Sequence, residues 1–505
     1  MKVFLLAKDR DFDQEGKLPP NEVNLVRDLE LEQIFREMAA GDKFILAIVR
    51  KVMLTSLCDP AEIIYRQEVL RECIEKPEII REIYDLALET LTGINKVSFL
   101  GVGFFSKDNP EITLHRAVQQ LKYLETMLKR LWDLANKYRL EFHYPGFYRF
   151  FRMLREELDE EYFEAIESHL EQLGFREGVL VSAELGEGHK GKNYTLLKNV
   201  ESKQSWIRRV ASPVLGRSSN TILIPERDEP GFRALEELRG RGINSAANAV
   251  ARSSDHVMSF FSNLRYELAF YVGCLNLFSA LTRKGEPICF PNPLPKGGPS
   301  FVAKDLYDPS LSLRLSDRCV GNCVNADGMP LVMITGVNQG GKSTLVRSVG
   351  IAQLMMQAGM FVAASDFSAD IRDALFTHFK REEDKEMESG KFEEELVRMS
   401  AIVDQLTPGA TVILNESFSS TNEREGSEIG RQLVTAMLDS GVKVFFVTHF
   451  FDLATSFYND DSRPALFLRA DRKDGGGRSF LLREAEPLPT VHGNDIYRKV
   501  FGTEP

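Results

Sequence analysis

One stretch of nine residues, Gly336-Val337-Asn338-Gln339-Gly340-Gly341-Lys342-Ser343-Thr344, holds the residue types that a chain of phosphates needs around it. It fits the pattern G-x-x-x-x-G-K-(S/T). Glycines let the main chain wrap closely round an anion with its N–H groups turned inward. A lysine brings positive charge to the outer phosphates, and the hydroxyl beside it suits Mg²⁺. Gly336, Asn338, Gly340, Gly341, Lys342, Ser343 and Thr344 are therefore the candidates for binding a nucleotide such as ATP. The flanks give the pattern its required context. LVMITG reads as an apolar strand before it, and KSTLVRSVGIAQLMMQAG as a helix whose positive end faces the same anion.

About seventy residues downstream, the apolar strand ATVILNE ends in Asn415 and Glu416. A carboxylate at such a strand end lies beside the metal and the last phosphate, where Glu416 can orient or deprotonate an attacking water. Ser343, Asn415 and Glu416 form the expected metal environment. A third strand, KVFFVTH, ends in His449, which reads equally as a phosphate sensor or as a structural histidine. Lys342, Glu416 and His449 are thus the catalytic candidates.

These groups need a frame. After the Pro- and Gly-rich link CFPNPLPKGGPS, apolar runs alternate with helical patterns, which predicts a parallel sheet covered on both faces. Before the link, from about Asn21 to Leu173, apolar residues recur at helical spacing, as in DLELEQIFREMA and PEIIREIYDLALETL. Pro60 and Pro77 suit first-turn positions of helices. The period changes in GVLVSAELGEGHKGKNYTLLKNV, which predicts two strands and an exposed turn, and NTILIPERD predicts another strand. Helical spacing returns from about Gly231. The opening MKVFLLAKDRDFDQEG lacks a signal-peptide cleavage site and reads as a first strand.

At 505 residues the chain is too long for one ordinary core. No apolar run reaches the roughly eighteen residues of a membrane span, and the six scattered cysteines read as reduced thiols, so a cytoplasmic protein is expected. A net charge of −11 argues against a broad electrostatic grip on nucleic acid but allows a local basic patch. The candidates for DNA contact are Arg208 and Arg209 beside Trp206, and Lys190 and Lys192 in the turn HKGKNY. A solvated hairpin face explains the same residues equally well.

Together the motifs resemble those of the MutS family. TGVNQGGKSTLVRSVG is similar to that family's phosphate loop, usually TGPNMGGKST followed by a helix with an early arginine. VILNESFSSTNEREGSEIG resembles its Walker B strand and following loop, VTHF its switch-histidine segment, and HGNDIYRKVFG its closing helix. LYDPSL resembles the short segment near the nucleotide base. DPAEIIYRQEVLRECIEKPEI and SNLRYELAFYVGCLNLFSALTRKGEPICFP are similar to parts of its helical core. The resemblance implies a multidomain chain. A short N-terminal segment (1–20) precedes a mainly α-helical core (lever) domain (21–290) with a small β-rich insertion near 175–227. An α/β P-loop ABC-type ATPase domain (291–505) follows.

The resemblance also implies ATP and Mg²⁺ as ligands, a homodimer with composite ATP sites, and coupling of nucleotide state to DNA. The sequence departs from the family in ways that matter. It leaves no room ahead of the core for mismatch-reading and connector domains, and none after the ATPase for an endonuclease, so branched or other non-mismatch DNA is expected. Asn415 stands where the Walker B aspartate is usual, which removes one negative charge near the metal. The family's trans-acting serine falls on Gly390, with Ser389 and Lys391 on either side as the other candidates. Those two departures leave open a slow nucleotide-gated scaffold, and the acidic balance with the missing reading domain leaves open an ATPase that works on a protein partner.

Overall fold

A computed structural model of the chain describes residues 1–100, 110–172, 181–185, 191–196, 229–381, 390–472 and 478–488. It divides into two compact units. One comprises Met1–Val3, Arg81–His143 and Tyr148–Arg265; the other comprises Phe4–Ile80, Tyr144–Phe147 and Tyr266–Pro505.

The first unit is mostly helical. It takes most of α5 (Pro77–Leu100), all of α6 (Pro110–Tyr138) and α8 (Glu160–Gln172), and parts of α7 (Pro145–Glu157) and α9 (Glu229–Arg283). Leu114, Ala117, Val118, Leu170 and Val250 make one apolar cluster, and Phe150 stacks on Phe260. The two strands expected in the middle region form as β1 (Val181–Leu185) and β2 (Gly191–Leu196), paired antiparallel. The further strand expected at NTILIPERD, and the closing helix at HGNDIYRKVFG, lie outside the described residues.

In the second unit, α1 (Glu22–Asp28), α2 (Leu31–Ala39), α3 (Lys43–Leu54) and α4 (Pro60–Glu75) come first in the chain. Side chains start the last two of these. Asp42 accepts from the N–H of Phe44 and Ile45, and Asp59 from that of Ala61, with Pro60 in the first turn. Pro77 likewise opens α5.

The main sheet of this unit contains β6 (Leu331–Gly336), β8 (Leu375–Phe379), β9 (Thr411–Asn415), β10 (Lys443–Val447), β11 (Ala465–Arg472) and β12 (Arg478–Glu484). Its order is β12-β11-β6-β10-β9-β8, parallel except for β12 at one edge. Every residue of β6 and β10 is buried, which is why both strands are largely apolar. Helices α11 (Lys342–Gln357), α12 (Lys391–Val403), α13 (Glu423–Asp439) and α14 (Phe451–Tyr458) connect the strands. At Gly350 of α11 an added Cβ would lie 2.7 Å from Leu29 and 3.0 Å from Ile413. The helix is thus held between the sheet and the N-terminal helices.

A second sheet, not anticipated from the sequence, has the order β3-β7-β4-β5. Its strands are β3 (Asn292–Leu294), β4 (Phe301–Leu306), β5 (Asn322–Asn325) and β7 (Asp366–Asp370), so the Pro- and Gly-rich link carries a strand. A short helix, α10 (Pro309–Ser312), follows β4.

The N-terminal segment corrects the expectation of a first strand, because residues 1–13 pair with no strand. Its N–H groups are taken instead by a carboxylate. Buried Glu267 accepts from Leu5 at 2.6 Å, Leu6 at 2.9 Å and Phe12 at 3.3 Å. The Tyr271 hydroxyl donates to the oxygen of Leu5, and the Arg66 guanidinium to those of Leu6 and of Ala358 at the end of α11. Burial pushes Glu267 up to about 7, against the pull of its N–H donors. Glu267→Ala leaves those donors without partners, and the expected loss of stability is about 3 kcal/mol. A parental urea midpoint for this variant would show that the anchor is dispensable.

Candidate functional site

The register of the main sheet fixes where the chemistry-bearing residues fall. Val447 of β10 sits opposite Ile334 of β6 and Asn415 of β9. All three strands therefore end at one edge, where ligands bind in open α/β sheets. Gly336 follows at the end of β6, Glu416 directly after β9, and His449 shortly after β10.

The loop between β6 and α11 needs its glycines. Gly336 has φ of 105°, and a Cβ there would lie 2.5 Å from the oxygen of Ala470. Gly341, at the N-cap of α11, has φ of 95°. Asn338, Gly340 and Thr344 complete the loop and the first turn. Lys342 is buried, and its ammonium donates to the oxygens of Gly336 at 2.8 Å and Val337 at 3.0 Å. Burial pulls this lysine down to about 8, with the charge of Glu416 opposing. Neutral carbonyls are weaker partners for an ammonium than phosphate oxygens, so a polyphosphate entering the loop competes well for it.

Ser343 donates its hydroxyl to the side-chain oxygen of Asn415 at 3.1 Å. Glu416 occupies the left-handed region with φ of 54° and donates its N–H to Val447 at 2.9 Å. Its carboxylate meets Nε2 of His449 at 2.7 Å. That bond, outweighing partial burial, holds Glu416 below the usual carboxylate range, so it is ionised at neutral pH. His449, Glu416, Lys342, Ser343 and Asn415 therefore converge at one strand edge.

Lys342, Ser343 and Glu416 open into a cavity of about 520 Å³. They line it at the phosphate loop, and Leu311, Leu315, Val320 and Phe480 supply apolar surface, with Asp317 and Arg318 also in the lining. Asn322 of β5 fixes Phe480 by donating to its oxygen at 3.2 Å while accepting from Leu482 at 2.8 Å. A polyphosphate with a flat apolar head matches this division. The wall is tied to α11 by Arg347. Its guanidinium donates to Asp308 at 2.7 Å and also pairs with Glu30. Asp308 in turn caps α10 through the N–H of Leu311.

Sequence reasoning did not single out Phe480, Arg347 by number, or His378, a buried histidine in a strand that also holds Leu375, Phe376 and Phe379. That last anomaly was readable as a signal. The remaining candidates are not gathered here. Gly390 is the exposed N-cap of α12 and Lys391 its first residue, while Ser389 lies outside the described residues. Arg208, Arg209 and Lys190 also lie outside them, and Lys192 is described only as a β2 residue opposite Glu184. All six cysteines are unpaired, and among the described residues no cluster of acids, histidines and cysteines could hold a metal by itself. Among the same residues, no helix is long and apolar enough to cross a membrane.

A parallel sheet with a glycine-rich loop between its strand and a helix defines a P-loop nucleotide-binding fold. Family comparisons narrow the class. The MutS2 N-terminal domain matches residues 58–284 and MutS domain V matches residues 332–481. The chain is 30% identical over 196 residues to the DNA mismatch repair protein MutS of Chloroflexus aurantiacus, covering 35% of this chain and 20% of that protein. It is 35% identical over 136 residues to the DNA mismatch repair protein msh-3 of Neurospora crassa, covering 26% and 12%. A MutS of Macrococcus caseolyticus is 25% identical over 248 residues, covering 48% and 29%. The chain thus spans less than a third of the length of these relatives. It belongs to the MutS family.

Lys342 supplies a pH test. It is charged below about 8, and a phosphate anion placed beside it would raise that value. Affinity for a non-hydrolysable ATP analogue should therefore weaken as pH rises above that point, by up to about tenfold per unit. Lys342→Ala should bind weakly and with no such slope; a parental profile in this variant would remove Lys342 from the phosphate site.

Proposed function

We propose that this chain binds and hydrolyses ATP and couples its nucleotide state to DNA, as a dimer with composite sites. The observation that carries the reading is the Glu416 carboxylate, ionised, set by His449 and facing the same cavity as Lys342 and Ser343. ATP would lay its phosphates in the loop from Gly336 to Thr344 and its base against the apolar wall at Leu311 and Phe480. Lys342 and the loop N–H groups would stabilise charge on the phosphates. Glu416 would accept a proton from the water that attacks the terminal phosphorus, releasing ADP and phosphate.

The donor set suits Mg²⁺, since the Ser343 hydroxyl and the Asn415 amide oxygen are hard oxygen donors only 3.1 Å apart. The ion would be held by these two together with phosphate oxygens, with Glu416 nearby, and would neutralise charge on the phosphates. The domain plan expected from sequence, with the ATPase in 291–505 after the core of 21–290, belongs to this proposal. So do the trans-acting role of Ser389, Gly390 or Lys391, DNA contact through Arg208, Arg209, Lys190 and Lys192, and a cytoplasmic setting.

One observation favours a second reading. The neutral Asn415 leaves the metal with one carboxylate fewer than a Walker B aspartate would give, which suits a slow, nucleotide-gated scaffold, while the net charge of −11 suits an ATPase that answers to a protein partner. Steady-state hydrolysis with and without duplex, mismatched, branched and single-stranded DNA separates the readings. Stimulation by one non-mismatch class, abolished by Lys342→Ala, is the expected result. Lys342-dependent turnover indifferent to all DNA would favour a protein partner, and tight ATP binding without turnover would favour the scaffold.

A further inference from the structure

The loop that carries Glu416 is fastened by a histidine that the proposed reaction does not use. His378 lies in edge strand β8 and is wholly buried. Its Nδ1 is 2.7 Å from the hydroxyl of Ser417, the residue directly after Glu416. Its Nε2 is 3.1 Å from the main-chain oxygen of Glu395, in the second turn of α12. The Ser417 hydroxyl also reaches the main-chain oxygen of His378 at 2.9 Å, and the ring of Phe418 stacks on the imidazole. A second link runs parallel to the first, from the Ser420 hydroxyl to the carboxylate of Glu395 at 3.0 Å.

The chemistry of these partners fixes the proton. A carbonyl only accepts, so Nε2 carries hydrogen and donates to Glu395. Burial, followed by the charge of Arg398, pulls His378 down to about 4, so the ring is neutral at working pH and has only that one hydrogen. Nδ1 is then an acceptor, and the single hydroxyl hydrogen of Ser417 is shared between it and the oxygen of His378.

The loop held in this way is strained. Glu416 and Phe418 both have positive φ, at 54° and 64°, and conformations of that kind persist only where the surroundings enforce them. Among the described residues, the hydrogen-bonding side chains that enforce it on the α12 side are His378 and Glu395. The N-terminus of α12 is Lys391, immediately after Gly390.

We infer that His378 is a positioning residue that ties the setting of the Glu416 carboxylate to the position of helix α12. The inference rests on the ATP hydrolysis proposed above. A shift of α12, such as engagement of the segment at Gly390 and Lys391 by a second copy of the chain, reaches Glu395 within two turns and passes through His378 to Ser417. The geometry makes turnover at a protomer's own site answer to contacts at its α12, while the phosphate loop itself, which touches none of these groups, is left unchanged.

Three substitutions separate the two bonds. The amide of His378→Asn falls near the place of Nδ1 and keeps a partner for Ser417. That of His378→Gln falls near Nε2 and keeps the bond to Glu395. Ser417→Ala removes one hydroxyl and little packing. The full chain is assayed for kcat, for affinity toward a non-hydrolysable ATP analogue, and for amide hydrogen exchange over 416–420. Ser417→Ala and His378→Gln should lower kcat about tenfold or more, leave analogue affinity within about twofold, and speed exchange in the loop. His378→Asn, which keeps the Ser417 bond but cuts the one to Glu395, should fall between His378→Gln and the parent in both kcat and loop exchange. Parental kcat and parental exchange in Ser417→Ala and His378→Gln would overturn the inference. So would equal damage to affinity and kcat with Asn no better than Gln, the mark of a purely structural histidine. A parent without Lys342-dependent hydrolysis would instead sink the ATPase reading, and loop exchange, which needs no turnover, would still decide the role of His378.

Discussion

In a parallel sheet every strand ends at the same edge, and here Val447 lies opposite both Ile334 and Asn415. That pairing brings three distant parts of the chain to one line of atoms. Gly336 can turn into the phosphate loop only because β6 stops there. Glu416 can reach His449 only because β9 and β10 stop level with it, and its own N–H is held by Val447. A one-residue slip of β9 against β10 would turn its side chains to the other face and carry the carboxylate away from the loop.

The strand edge is then held in place by groups far away in sequence. Glu30, in the left-handed region between α1 and α2, pairs with Arg314 and Arg347. Arg347 belongs to the phosphate-loop helix and also holds Asp308, which caps the short helix beside the cavity wall. Arg66 joins the end of that same helix to the N-terminal segment at Leu6. Arg66 and Asp308 are buried, and buried charges are costly unless paired, which accounts for how closely these two are matched to partners. The cavity at the strand edge is in this sense built by residues 4–80 as much as by the motifs around it.

Much of this frame could be read from the residues. The phosphate loop, the strand that leads to Glu416 and the strand that leads to His449 were legible because buried parallel strands leave long apolar runs, although β9 stops at Asn415 and β10 at Val447, short of both residues. Pro60 and Pro77 announced helix starts for a local steric reason. The N-terminal segment was misread as a strand because its apolar run says that it is buried, not what takes its N–H groups; a carboxylate 262 residues away does. The small sheet was hidden for a similar reason, since β3 has only three residues and its partner β7 lies beyond the whole phosphate-loop helix. Phe480 and His378 gain meaning only from tertiary neighbours that no local pattern encodes.

The central claim is that Glu416 acts on the attacking water while the loop around Lys342 does the binding. Single-turnover hydrolysis of ATP by Glu416→Ala, measured beside its ATP affinity, tests that division most directly. The account predicts affinity close to the parent's with the chemical step slowed by about a hundredfold or more, and a closed dimer that persists with ATP bound. Cleavage at the parental rate would contradict it and remove Glu416 from the chemistry.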